Sequence, residues 1–126
     1  MIDYNKHIDY WKTTASSDID TAQILIEKGK IKEGLFFCHL FIEKILKAHY
    51  VKVNSSIAPK THDLIYLINK SNIVFNDEYL KYIIFLQKFQ LEGRYPDYNI
   101  EIPTKEEGLN YLTHGKEIYS WLVNQL

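Results

Sequence analysis

The segment Leu35–Ile42 is the feature of this sequence that most limits its possible folds. It reads LFFCHLFI and lies within a longer stretch, Lys30–Val53, whose apolar residues cover one broad helical face and extend around its side. A helix that is apolar over so much of its circumference must be packed by several other helices or by another subunit. The sequence therefore predicts a central helix over Lys30–Val53.

Apolar residues spaced three or four apart predict further helices on both sides of this stretch. The expected ranges are Asp9–Lys28, His62–Lys70, a helix from Asn76 that stops near Gly93, and a last helix from Thr104 to Val123 or beyond. Thr61 and Asn76 are the expected N-caps of the third and fourth helices, and Thr104 opens a capping box with Glu107. Since no stretch alternates like a strand, we expect an all-α, up-and-down bundle of about five helices.

Length and composition narrow the classes of function. The chain has 126 residues, which we interpret as one domain spanning residues 1–126, and its net charge of -1 provides no overall positive field to attract nucleic acid. A phosphate ligand would need a local cluster of cations. The single cysteine, Cys38, excludes an internal disulfide and suits a reducing compartment. No apolar run approaches the roughly 20 residues that span a bilayer, so we expect a cytoplasmic protein without membrane contact.

A line of polar residues interrupts the apolar surface of the predicted central helix. His39, Glu43 and Lys47 are spaced four apart and lie along one side of the helix, with Lys44 adjacent. Aromatic residues interleave with this line, and a charge among aromatic residues costs free energy unless it is paired. The line is either a surface ion pair beside a core histidine or a polar strip that faces a groove or a second subunit. We slightly favour the second interpretation.

The segment Thr61–Leu64, which reads THDL, places His62 and Asp63 at the expected start of the third helix. A helix N-terminus presents free backbone N–H groups and partial positive charge, which favour anions. Asp63 is best explained as a response to the helix dipole. His62 is more open to a functional role, because an imidazole can donate to phosphate or transfer a proton.

The segment Gly93–Tyr98 contains the only arginine of the chain, Arg94, among fifteen basic residues. The proline that follows Tyr95 favours extended backbone there. Arg94 could grip a phosphate in bidentate fashion while Tyr95 or Tyr98 stacks on a base. Alternatively, Tyr95 packs on the bundle and Arg94 pairs with Glu43 or Asp97. The residues alone leave both interpretations open.

Metal and cofactor chemistry have no support in the sequence. The five histidines are scattered without the spacing of a ligand pair, and there is no glycine-rich phosphate loop. We therefore expect no metal site and no cofactor.

Three motifs in order give the chain a family resemblance. They are HLFIEKILKA at residues 39–48, THDL at 61–64 and RYP at 94–96, and an early Trp11 precedes them. Together they resemble the HEPN domain over nearly the whole chain. The resemblance implies a bundle of about five helices that often dimerises and is frequently encoded beside a minimal nucleotidyltransferase. Some HEPN proteins are metal-independent ribonucleases, and others are thought to bind nucleotides or protein partners.

The ribonuclease branch of the HEPN family carries an arginine followed four to six residues later by histidine. In this chain no histidine follows Arg94 within that window, so the resemblance favours a protein without catalytic residues. The leading hypothesis is a nucleotide-binding or nucleotidyltransferase-partner module of a toxin–antitoxin-like system, in the form of a homodimer. The candidate nucleotide- or phosphate-binding residues are His39, Glu43, Lys44, Lys47, His62, Arg94, Tyr95 and Asp97.

Two alternatives belong to other classes of function. One is a ribonuclease toxin acting at a dimer cleft, with Arg94 as the cation and His62 or His39 moving the proton. The other is a pure assembly module whose apolar central helix buries into a copy of itself or a partner. The functional hypotheses with a ligand all require that folding brings Arg94 close to Lys47 and His62 in a recess open to solvent.

Overall fold

The computed structural model describes residues 1–92 and 101–126, apart from the side chains of residues 91 and 92. This part of the chain contains five α-helices and no strand. They are α1 (Tyr4–Glu27), α2 (Ile31–Asn54), α3 (Leu64–Lys70), α4 (Asp77–Glu92) and α5 (Lys105–Val123). The prediction of an all-α bundle of about five helices is therefore confirmed.

Helix α2 is the centre of the bundle, as its apolar circumference predicts. Within the described residues it is the only helix that packs against all four others. Fourteen of its 24 residues are buried, more than a single face can hold, and Leu35, Ile42 and Leu46 are completely inaccessible to solvent. Because α2 is enclosed in this way, any polar group that it carries on an inner side is held in a nearly water-free environment.

The helix ends follow local chemistry at most of the expected positions. The Asn76 side chain accepts from the backbone N–H of Tyr79 at 2.7 Å and caps α4. Thr104 and Glu107 form the predicted capping box, in which each side chain accepts from the other residue's backbone N–H, at 3.2 and 2.9 Å. Gly29 adopts a left-handed φ of 83° between α1 and α2, the conformation in which glycine is least strained.

Two predicted helix starts are wrong. Helix α3 begins at Leu64 rather than His62, because the Asp63 side chain, not that of Thr61, caps the helix by accepting from Tyr66 N–H at 3.1 Å. Thr61 instead accepts from the Asp63 N–H at 3.1 Å and shapes the preceding turn. Helix α1 begins at Tyr4 rather than Asp9, because the Asp3 side chain caps it by accepting from the Lys6 N–H. The first turn of α1 is polar, so the spacing of apolar residues did not reveal it.

The loop between α2 and α3 turns back along α2 and sets the position of His62. Ser55 ends α2 in a left-handed conformation with a φ of 46°. The loop then returns, so that His62 reaches Glu43 in the middle of α2, nineteen residues earlier in the chain. His62 is therefore a loop residue in front of α3, and its side chain faces the central helix.

None of the helices in the described residues combines the length and the apolar character that crossing a bilayer requires.

Candidate functional site

Glu43 is the centre of a buried polar cluster on α2. The Nζ of Lys47 donates to its Oε2 at 3.1 Å, and the Nδ1 of His62 lies 3.0 Å from its Oε1. The Nδ1 of His39 lies 3.7 Å from the same Oε1. His39, Glu43 and Lys47 share one side of the helix, as their spacing predicts, and the relative exposures of 1%, 3% and 6% show that this side is not a solvated surface.

The Glu43–Lys47 pair owes its stability to compensation within the cluster. Removing two charges from water costs several kcal/mol per ion, which only close pairing and additional hydrogen bonds can offset. Glu43 gains a hydrogen bond from His62, and the Nζ of Lys47 lies 5.2 Å from the ring centroid of Trp11 on α1, where a cation–π interaction adds to its binding. The two charges are thus held in place by groups from α1, α2 and the loop.

His39 is neutral at physiological pH. Burial lowers the pKa of its imidazole from 6.5 to about 4, because the charged ring would lose its water, and the nearby Glu43 carboxylate offsets only part of this effect. Its Nε2 is buried and has no hydrogen-bond partner among the described residues. Because this atom is closed to solvent, the charged form of the ring could not recover its lost hydration there.

A recess that we name the aromatic cavity opens beside this cluster. Its volume is about 400 Å³. Its walls are formed by α2, by the end of α4 and by the loop residue His62, and the lining residues are Lys32, Glu33, Phe36, Phe37, His39, Leu40, Glu43, His62, Phe89 and Gln90. The cavity therefore has mainly apolar, aromatic walls and one polar end made by His39, Glu43 and His62.

The candidate residues fall into three groups. His39, Glu43, Lys47 and His62 come together in one cluster, and three of them line the aromatic cavity. Lys44 does not join them, because its Nζ lies 2.7 Å from the Asp18 carboxylate of α1 and ties the two helices together. Arg94, Tyr95 and Asp97 lie outside the described residues, so their predicted proximity to Lys47 and His62 stays a prediction.

Phe37, Phe89 and Gln90 are cavity residues that the sequence did not single out, whereas Phe36 is one of the aromatic residues that interleave with the polar line. The sequence placed these phenylalanines among the apolar residues of their helices without distinguishing cavity walls from core. No sequence signal could have separated them, because the cavity exists only where the end of α4 packs near the first half of α2. In the described part of the chain, no group of three or more His, Cys, Asp or Glu side chains is arranged to hold a metal ion.

The fold and the cluster define a small helical-bundle domain built around one central helix with a polar middle. The sequence model of the HEPN domain matches residues 8–126, and the chain therefore belongs to the HEPN family. No curated protein is significantly similar to it in sequence.

Two solved structures share the fold over almost their whole length. The TT1696 protein of Thermus thermophilus superposes with a TM-score of 0.79 at 18% identity, covering 94% of this chain and 98% of the other. The archaeal HEPN homologue ST0689 superposes with a TM-score of 0.72 at 20% identity, covering 94% and 96%. At such identities the similarity establishes the fold alone.

Proposed function

We propose that this HEPN chain is a non-catalytic module that binds a nucleotide in the aromatic cavity. The observation that carries this function is the combination, in one recess, of aromatic walls and a polar end formed by His39, Glu43 and His62. The volume of about 400 Å³ is that of a small-molecule site, since such sites enclose roughly 300–1,000 Å³.

The aromatic walls suit a nucleobase. Phe36 and Phe37 are in edge-to-face contact with ring centroids 5.8 Å apart, and Phe36 keeps 37% of its surface exposed. Stacking of a base on an aromatic side chain contributes about 1–3 kcal/mol and tolerates any base. The walls therefore favour a flat ring without selecting among the nucleobases.

The polar end suits the hydroxyl or amino groups of a nucleoside. Glu43 offers carboxylate oxygens as acceptors. A ribose hydroxyl or a base amino group can donate to the Glu43 carboxylate, which is in the lining of the cavity. Lys47 is already bound to Glu43, and we assign it the role of holding that carboxylate in position rather than a phosphate contact.

The lining of the cavity contains one lysine, Lys32, against two carboxylates, Glu33 and Glu43. Because the acidic residues outnumber it, we propose that a further cation binds the phosphate. Arg94 follows the lining residue Gln90 by four positions in the chain. We assign the phosphate to Arg94, with Tyr95 and Asp97 as its neighbours at the site. His62 adds a polar contact from the loop.

A titration with fluorescently labelled ATP or GTP tests this function. We expect saturable binding that His62→Ala and Arg94→Ala each weaken about ten-fold, the equivalent of about 1.4 kcal/mol per lost hydrogen bond or charge contact. His114→Ala is the matched control, since His114 is an exposed histidine of α5 outside the cavity. Wild-type protein that binds neither nucleotide would refute the proposed function.

A ribonuclease is the second candidate, and the contact between His62 and Glu43 favours it. A carboxylate that accepts from the Nδ1–H of an imidazole leaves the Nε2 as a free base, the arrangement used in general acid–base catalysis. The His62 side chain is 46% exposed, so a substrate can reach it. In this alternative Arg94 stabilises the developing charge on the phosphate.

Incubation of the purified chain with total RNA separates the two candidates. Cleavage that is lost in His62→Ala and in Arg94→Ala, but kept in His114→Ala, would replace the binding module with a nuclease. RNA that stays intact over hours at high protein concentration would eliminate the nuclease.

The wider context of the module follows from the family resemblance. We assign the chain, as one domain, to a cytoplasmic toxin–antitoxin-like system in which it forms a homodimer and meets a minimal nucleotidyltransferase. Sedimentation that finds only monomer at high concentration, with and without the neighbouring gene product, would contradict this assembly.

A further inference from the structure

A second cavity, which we name the basic cavity, lies between the first turns of α1 and the loop that follows α2. Its volume is about 530 Å³. Loop residues 57–59 form one apolar side, and the other lining side chains are Lys6, His7, Tyr10, Trp11, Lys47 and Lys60. It shares no lining residue with the aromatic cavity, and the Glu43–Lys47 ion pair lies between the two, with Glu43 in one lining and Lys47 in the other.

The charge of the basic cavity is one-sided. Three lysines and a histidine line it, and no acidic residue of the described chain does. Glu43 neutralises Lys47, whereas the ammonium groups of Lys6 and Lys60 have no ion-pair partner among the described residues. In a chain whose net charge is -1, this concentration of unpaired cations is a local feature that selects for an anion.

The remaining walls are aromatic. Tyr10 and Trp11 meet edge to face with ring centroids 5.1 Å apart, and Tyr10 keeps 58% of its surface exposed. Trp11 also carries a buried indole N–H for which the described residues offer no acceptor. That nitrogen is closed to solvent, so Trp11 contributes its ring face, not its N–H, to the cavity.

We propose that the basic cavity binds a small organic phosphate that carries an aromatic ring, with the ring against Tyr10 and Trp11 and the phosphate held by Lys6 and Lys60. Both parts of the ligand are needed. The ring covers apolar surface of the cavity, which inorganic phosphate would leave exposed to water. The phosphate forms ion pairs with two lysines, which a neutral aromatic ligand could not do. This site is independent of nucleotide binding in the aromatic cavity.

The fluorescence of Trp11 reports on the basic cavity directly. The chain has two tryptophans, and Trp121→Phe leaves Trp11 as the only indole. We expect a saturable change of its emission with phenyl phosphate and affinities at least ten-fold weaker for phenol and for inorganic phosphate. Calorimetry on the unsubstituted chain gives the same binding constant and covers the case in which Trp121→Phe perturbs the fold, since Trp121 contacts Phe75 and Tyr79.

Single lysine substitutions decide whether the cavity is the site. Lys6→Ala and Lys60→Ala each reduce the affinity for phenyl phosphate about five- to ten-fold, which corresponds to one lost charge-assisted contact. The matched control is Lys12→Ala, an exposed lysine of α1 outside the lining, which leaves the affinity unchanged. Phenol that binds as tightly as phenyl phosphate, or an equal loss in all three lysine variants, would overturn the assignment.

Two further ligands identify the source of the phosphate. Adenosine monophosphate and free O-phosphotyrosine both contain an aromatic ring and a phosphate. The compound with the lower dissociation constant indicates which class of ligand the cavity binds. If Lys60→Ala lowers the affinity for that compound and His62→Ala does not, the compound binds in the basic cavity. The opposite pattern would move the ligand to the aromatic cavity and refute the site proposed here.

Discussion

At the scale of single residues, the Glu43–Lys47 pair is the buried ion pair at the centre of the polar cluster. Both side chains lie inside the bundle, four residues apart on α2, with the cation four positions after the anion as the helix dipole favours. A buried pair of this kind adds little compared with apolar residues of the same size, but removing one partner leaves an unpaired charge without water. Each charge of the pair therefore depends on the other for its stability inside the bundle.

Glu43→Gln should lower the free energy of unfolding by about 3–5 kcal/mol, because the Lys47 ammonium would stay buried without its anion. Urea unfolding measures this loss. The double variant Glu43→Gln/Lys47→Met should recover most of it, since neither charge remains. Glu33→Gln, at an exposed position in the first turn of α2, is the control and should change stability by no more than about 1 kcal/mol. A double variant that is as unstable as the sum of its single variants would contradict the pairing.

At the scale of elements, the close approach of α5 to α2 and α4 depends on Gly115. The hydroxyl of Tyr82, from α4, donates to the carbonyl of Tyr111 at 2.7 Å and lies where a Cβ of residue 115 would be. The Phe41 ring of α2 is also within 2.9 Å of that position. The apolar spacing of α5 does not reveal that a residue without a side chain is needed at position 115 for the helices to meet.

Gly115→Ala should destabilise the protein by about 0–2 kcal/mol. Alanine gains about 1 kcal/mol over glycine in helix propensity, but the new methyl group must displace an aromatic ring and a hydrogen-bonded hydroxyl, and such overpacking costs about 1–3 kcal/mol. Thermal unfolding measures the net effect. Asn110→Ala, an exposed position of the same helix, provides the gain in propensity without the clash. A stabilised Gly115→Ala variant would show that α5 shifts outward at little cost.

At the scale of the whole molecule, two buried histidines connect stability to pH. Burial lowers the pKa of His39 to about 4 and also lowers the pKa of His49, whose Nε2 donates to the Leu122 carbonyl at 2.7 Å. Above pH 6.5 neither the folded nor the unfolded chain protonates these rings, so stability is complete. As the pH falls below 6.5, the histidines of the unfolded chain bind protons while those of the folded chain stay neutral. The free energy of unfolding therefore decreases until the pH reaches the pKa of the folded state.

We expect His39 alone to account for a loss of about 3 kcal/mol between pH 6.5 and 4, from a shift of about 2.5 pKa units. Urea unfolding at a series of pH values gives the slope. His39→Gln should remove about 1.4 kcal/mol per pH unit of that slope near pH 5, the contribution of one proton. His114→Ala, which changes an exposed histidine, should leave the slope unchanged. Equal slopes for wild type and His39→Gln would contradict a neutral, buried His39.

The sequence by itself determined the helices, most of their ends and the central position of α2, because apolar periodicity and capping are local and act through residues three or four apart. It also placed His39, Glu43 and Lys47 on one side of α2 for the same reason. Only the tertiary structure decided that this side is buried, that His62 returns through a loop to Glu43, and that two cavities open on either side of the Glu43–Lys47 pair. These features depend on how α1, α4 and the loop 55–63 pack against α2. Such contacts join residues that are distant in the chain, so the spacing of nearby residues does not predict them.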